Sequence, residues 1–127
     1  MQLSLSVRIA EEFMSKEKAS MPLDDLARLA KCCGYEALCM RASQVGVQSP
    51  PEAGDQAVGC LDEAGLSVSM VTGDFDTVYN NDNGPSALRD ITPYLDLAKR
   101  LGSPRIRVAL KQQSDIANAQ SAADEAA

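Results

Sequence analysis

Three times along this chain an amphipathic helical run meets a glycine and passes at once into a strand-like run. Residues 26–33 lead through Gly34 into 35–41, residues 57–64 through Gly65 into 66–72, and residues 94–101 through Gly102 into 104–111. Apolar positions recur at helical spacing as Leu23, Leu26, Ala30 and Cys33, then Ala57, Cys60, Leu61 and Ala64, then Leu88, Ile91, Leu95, Ala98 and Leu101. Each set would bury one stripe, and each glycine can take the left-handed conformation that closes a helix. Strand and helix in steady alternation predict parallel neighbours joined by right-handed crossovers. An open doubly wound sheet and a closed barrel both meet that requirement.

Strand periodicity separates the two. The opening Leu3-Ser4-Leu5-Ser6-Val7-Arg8-Ile9 alternates strictly and predicts a first strand over 3–9, with further strands near 36–41, 66–72 and 105–110. On that parity the helix-facing residues are Leu3, Leu5, Val7 and Ile9; Leu38 and Met40; Leu66, Val68 and Met70; and Ile106, Val108 and Leu110. The opposite face carries Ser4, Ser6 and Arg8; Ala37, Cys39 and Arg41; Ser67, Ser69 and Val71; and Arg107, Ala109 and Lys111. A doubly wound sheet is covered on both faces and reads almost continuously apolar. One small, polar and cationic face suits a barrel lumen instead, so the expected fold class is α/β, a partial (β/α)8 TIM barrel of about four βα units with helices on its outer face only.

The same parity sets Arg8, Arg41 and Lys111 at the carboxyl ends of three strands, pointing inward, where (β/α)8 enzymes build their sites. Three cations at one mouth predict a substrate-binding clamp for an anion or a polyol. The competing expectation is a salt-bridged rim, each cation paired with a carboxylate from Glu11, Glu12, Asp74 or Asp76 and without a substrate role.

Local signals fill in the elements. Helix one is expected to start near Met21-Pro22, with Asp24 and Asp25 at the positive end of its dipole. Ser49-Pro50-Pro51-Glu52 reads as a capping box for helix two, which Gly54 and Gly59 weaken. The run from Gly73 to Pro85 reads as a long, functional βα loop. Pro93 predicts a kink or a restart within helix three. Ser114 caps an expected fourth helix through Ile116, Ala119, Ala123 and Ala126, inside which the sequence stops.

Composition excludes some partners. A formal charge of −6 without a Lys/Arg cluster gives nucleic acid or an anionic membrane no basic stripe to bind. Cys32, Cys33, Cys39 and Cys60 form no Cys-x-x-Cys pair and fall in expected helices and a strand, so they read as reduced core residues. The first fifteen residues hold Arg8, Glu11 and Glu12 and no signal-peptide pattern, and no stretch reaches membrane-spanning length, so a cytoplasmic protein is expected.

Several segments also carry a family likeness. Leu5-Ser6-Val7-Arg8-Ile9-Ala10-Glu11-Glu12-Phe13, the run from Gly34 to Gln44, the Val71-Thr72-Gly73-Asp74-Phe75 turn and Leu97-Ala98-Lys99-Arg100-Leu101-Gly102 resemble the xylose isomerase-like TIM barrels of the sugar phosphate isomerase/epimerase family. The resemblance covers essentially the whole chain but half of the family's barrel, which needs about 250 residues. It implies that residues 1–127 are the amino-terminal half of such a domain, ending within helix four. It also implies a divalent metal, magnesium, manganese or similar, held in the full-length family by carboxylates and a histidine, with a glutamate moving a proton between carbons. Those groups belong to later strands, and this chain has no histidine, so no metal or catalytic residue is carried over and none is expected to be bound by this chain.

The function expected is therefore a fragment of a metal-dependent isomerase or epimerase for a small sugar, sugar phosphate or hydroxy-acid, inactive by itself. The isomerase, epimerase, dehydratase and endonuclease branches share this half, and the acidic balance argues against the last. A second reading is a non-catalytic, truncated half-barrel that self-associates as a homo-oligomer to cover its open edges. A third is a flavodoxin-like receiver, which this chain fits poorly because it lacks the fifth strand and the lysine expected after it.

Overall fold

The computed structural model describes residues 1–78 and 91–110. Four strands, β1 (Ser4–Ser6), β2 (Ala37–Met40), β3 (Ser67–Val78) and β4 (Ile106–Leu110), alternate with helices α1 (Leu23–Cys32), α2 (Pro51–Ala64) and α3 (Thr92–Arg100). All strand pairs are parallel and the sheet order is β1-β2-β3-β4. This order decides between the two architectures: a doubly wound sheet reverses direction at a switch point, whereas a barrel adds each strand beside the last. With right-handed crossovers throughout, sequential order sets every helix on one face. The fold is a partial (β/α)8 barrel.

The core lies between the sheet and those helices. Leu26, Ala27 and Ala30 of α1, Ala57 and Leu61 of α2, and Leu97, Ala98 and Leu101 at α3 pack with Leu38, Met40, Val68 and Val71 of the strands. The repeat's punctuation is realised in the backbone. Gly34, Gly65 and Gly102 have φ of +85, +66 and +65°, and Gly65 directly caps α2. Asp24 and Asp25 occupy the first turn of α1 as expected, and Pro93 lies in the first turn of α3, so that helix starts there.

Several expectations are corrected. The first strand is only three residues long, because Val7–Ala10 wind into a 3₁₀ turn that begins when Ser6 Oγ accepts the Arg8 amide. The turn buries Val7 and Ala10 and leaves Ile9 68% exposed, so Ile9 is not on the helix-facing side. In β3 the alternation shifts, since Leu38 pairs with Val68 but Cys39 with Met70, leaving Ser69 as an extra residue. Beyond that bulge Val71, not Met70, is buried in the core.

Residues 73–78 are strand rather than loop, because β3 stays paired with β4 through Asp76↔Ala109 and Val78↔Leu110 after a second register shift past Thr72. In α3 the buried stripe runs through Leu97, with Leu95 turned to solvent. The capping box before α2 does not form: Pro50 is the cap, and Ser49 Oγ instead accepts the Gly46 amide at 3.0 Å. Cys39 is buried, whereas Cys32 and Cys33 are exposed and Cys60 is half-buried. The remainder of the expected loop, Leu88, Lys111 and the fourth helix lie outside the described residues.

Candidate functional site

The site grows from the ends of β1 and β2. Immediately after β2, the Arg41 carbonyl accepts the amides of Gln44 and Val45 at 3.0 and 3.1 Å, closing a tight turn. Gly46 lies against the start of that turn, where a Cβ would stand 2.9 Å from the Ala42 Cβ. Gln44 Nε2 donates to the Met21 carbonyl at 2.8 Å and ties the turn to the entrance of α1. The β1–α1 connection is braced in its own way: Glu11 bridges Ala19 in antiparallel fashion, and the Ser20 amide donates to the Ala10 carbonyl at 2.7 Å.

Those two turns bring Glu11 and Arg41 together. Arg41 Nε donates to Glu11 Oε1 at 2.6 Å, and Ser43 Oγ donates to the same oxygen at 3.0 Å. The arginine side chain is 10% exposed and the glutamate side chain 7%, so the pair is nearly dry. A buried ion pair survives only when its desolvation is offset by close geometry and further hydrogen bonds, and Ser43 supplies one. Glu11 is the only partner residue of the Arg41 guanidinium among the described residues. No buried side-chain nitrogen or oxygen among the described residues lacks a hydrogen bond.

Of the three expected clamp residues, the structure gives a built environment to one. Arg41 is buried at the β2 carboxyl end and meets one of the carboxylates foreseen for a salt-bridged rim. Arg8 is exposed in the 3₁₀ turn rather than inward on a strand, and it does not join the Glu11–Arg41 pair. Lys111 lies outside the described residues. Ser43 carries no sequence signal that would have singled it out, because its role depends on the turn that follows β2.

The sheet face away from the helices is polar near its amino end. Ser69 Oγ, on the bulge, donates to the Leu38 carbonyl at 3.2 Å, which uses its only proton, so the 2.6 Å contact with Ser4 Oγ is donated by Ser4. Cys39 Sγ and Thr72 Oγ1 lie 3.5 Å apart nearer the carboxyl end. A cleft of about 400 Å³ opens between Ala42, Val47 and Ser49 of the β2–α2 connection, Thr72 of β3, and Tyr94 and Leu97 of α3. That volume falls in the range of small-molecule sites. Among the described residues no group of three His, Cys, Asp or Glu side chains is placed to hold a metal ion.

A parallel sheet in sequential order, helices on one face and polar groups at the strand ends define this as a partial TIM barrel. Among solved structures, the chain is similar to a putative xylose isomerase from Rhodospirillum rubrum, with a TM-score of 0.68 and 14% identity over 99% of this chain and 46% of that one. It is similar also to the probable 3-DHS dehydratase AsbF, involved in petrobactin synthesis, from Bacillus anthracis, with a TM-score of 0.65, 16% identity and coverage of 98% and 45%. A third is the 3-keto-D-glucoside 4-epimerase YcjR from E. coli, in its apo form, with a TM-score of 0.60, 12% identity and coverage of 99% and 49%. The fold is thus xylose isomerase-like, as the sequence resemblance implied, and the chain spans about half the length of these proteins. No family model matches the sequence, and no curated protein matches it.

Proposed function

We propose that these residues form the amino-terminal half of a metal-dependent isomerase or epimerase barrel, acting in the cytoplasm on a small sugar, sugar phosphate or hydroxy-acid. The observation that carries the reading is the buried Glu11–Arg41–Ser43 cluster at the carboxyl ends of β1 and β2, where enzymes of this fold bind their substrates. In this proposal Arg41 holds substrate, with Arg8 and Lys111 as secondary cations of the same mouth. A divalent metal would polarise substrate oxygens during proton transfer next to a carbonyl. The described residues offer it no ligand set, so it would be held by other strands of the barrel.

The test is the reading frame beyond the Ala127 codon and the protein it encodes. An in-frame continuation bearing histidine and carboxylates at later strand ends is expected. With manganese or magnesium in D2O, the encoded barrel should exchange a carbon-bound hydrogen beside the carbonyl or carboxyl group of its substrate. A folded eight-stranded barrel that exchanges nothing across aldoses, ketoses, sugar phosphates and hydroxy-acids would overturn the reading. A stop codon directly after Ala127 would favour the self-associating, non-catalytic half-barrel. One observation supports that second reading: among the described residues β1 and β4 each have a strand neighbour on one side only.

A further inference from the structure

We propose that the adjacent thiols of Cys32 and Cys33 form a binding site for a soft, two-coordinate cation, copper(I), at the carboxyl end of α1; the site is independent of the isomerase reading. The sequence sets two cysteines side by side, and the fold turns both to solvent as free thiols. The backbone beneath them is held. The Cys33 amide donates to the Leu29 carbonyl, the Gly34 amide to that of Lys31 and the Tyr35 amide to that of Ala30, each at 3.0 Å. With Gly34 at φ of +85°, these bonds close α1 in a fixed turn, so an ordered helix end presents the pair.

Adjacency decides what the pair can do. Consecutive Cα atoms lie about 3.8 Å apart, short of the roughly 4.4–6.8 Å that an unstrained disulfide spans. Joining the two sulfurs directly is therefore disfavoured, and both stay available as ligands. Side chains at successive helical positions diverge by about 100°, and Cys33, with φ of −84° and ψ of 3°, is still near-helical. An ion bridges that divergence, because two metal–sulfur bonds of about 2.3 Å each, the length found for zinc, hold sulfurs farther apart than one S–S bond does. Thiolates select copper(I), zinc and iron–sulfur clusters. Structural zinc and the clusters ask for four ligands, and among the described residues no group of three candidate ligands is assembled. Copper(I) is satisfied by two thiolates in line. Binding involves no redox change: the two S–H protons go to solvent as two Cu–S bonds form, leaving a bis-thiolate copper(I) of charge −1.

The experiment titrates the reduced 127-residue chain, without oxygen, with copper(I) held by bicinchoninate, a coloured chelator whose bleaching reports transfer to the protein. One equivalent per chain is expected to move. Cys32→Ser and Cys33→Ser are each expected to weaken uptake by at least about tenfold, the smallest loss usual when a metal's surroundings are disturbed, and Cys60→Ser should bind as the wild type does. Alkylation gives a second readout on the unaltered chain: copper(I) should shield Cys32 and Cys33 together from iodoacetamide, as located by peptide mass. Undiminished uptake by either folded serine variant, dependence on Cys60, or shielding of only one of the pair would each overturn the assignment. So would half an equivalent per chain, by putting the ion between two copies, or zinc held as tightly as copper(I), by revealing further ligands. If a serine variant does not fold, the shielding pattern of the wild type decides alone.

Discussion

Arg41 is the buried partner of Glu11 as well as the proposed substrate contact, and the two roles conflict in any simple deletion. Truncating it to alanine would leave the Glu11 carboxylate, 7% exposed, without its cation. Losing one partner of a buried pair costs about 3–5 kcal/mol, whereas replacing both partners with apolar groups of similar volume is often close to neutral. Arg41→Ala is therefore expected to lower stability by about that amount in urea unfolding, and Glu11→Leu combined with Arg41→Met to recover most of the loss. An Arg41→Ala chain as stable as the wild type would show that Glu11 is solvated rather than paired.

The cysteines divide by exposure rather than by core membership. Cys32 and Cys33 stand exposed at the end of α1, Cys39 is buried in β2, and Cys60 is half-buried on α2. Burial pushes the Cys60 thiol up, Asp24 and Glu63 add to the rise, and Arg28 opposes it. A raised thiol holds less thiolate, the reactive form, at any given pH. With a disulfide reagent at pH 8, two fast equivalents are expected from Cys32 and Cys33, then a slow one from Cys60 whose rate climbs further as pH rises, while Cys39 waits for unfolding. Four equivalents at one rate would contradict this order.

At the scale of elements, α2 and the turn before it carry glycines with opposite meanings. Gly59 sits within α2 with nothing within 4 Å of where a Cβ would project, so Gly59→Ala is expected to raise stability by about 0.5–1 kcal/mol through helix propensity and a less free unfolded chain. Gly46 faces the Ala42 Cβ and Cα at 2.9 and 3.0 Å, and part of that contact is backbone that cannot swing aside. Gly46→Ala should destabilise by about 1–3 kcal/mol, as overpacking does. Thermal unfolding of both variants is the measurement, and equal shifts of the same sign would refute the distinction.

Much at this scale was legible in the sequence, because periodicity and glycine punctuation are local properties. The helix ends at Gly34 and Gly65, the parallel order and the polar lumen face all follow from spacing. The misplacements have nonlocal causes. The Ser69 bulge, which moves Val71 rather than Met70 into the core, arises from the pairing of β3 with β2. The 3₁₀ turn at Val7–Ala10 sends Ile9, which strict alternation had set on the helix-facing side, out to solvent. Glu11 was legible as a partner for some cation, but its choice of Arg41 over Arg8 depends on how two connections fold back on the strand ends.

At the scale of the molecule the four-stranded sheet is an open arc. In a closed barrel no strand is an edge, whereas here the outer sides of β1 and β4 have no strand neighbour among the described residues, and unpaired backbone of that kind recruits other chains. The connection after β1 adds an apolar tip: Phe13 is 95% and Met14 89% exposed, the latter with φ of +61°, and Leu3 and Ile9 are exposed nearby in sequence. Large apolar side chains exposed on one connection favour contact with another surface. The 127-residue chain by itself is therefore expected to self-associate, with a mass in sedimentation equilibrium that rises with concentration.

Two causes can be told apart in the same measurement. If the apolar tip drives assembly, Phe13→Ser with Met14→Ser should return the chain to a monomer, since both side chains are exposed and their loss leaves the core untouched. If strand edges drive it, that variant should associate as before, because the backbone of β1 and β4 is unchanged. A wild-type chain that stays monomeric across the whole concentration range would remove both causes.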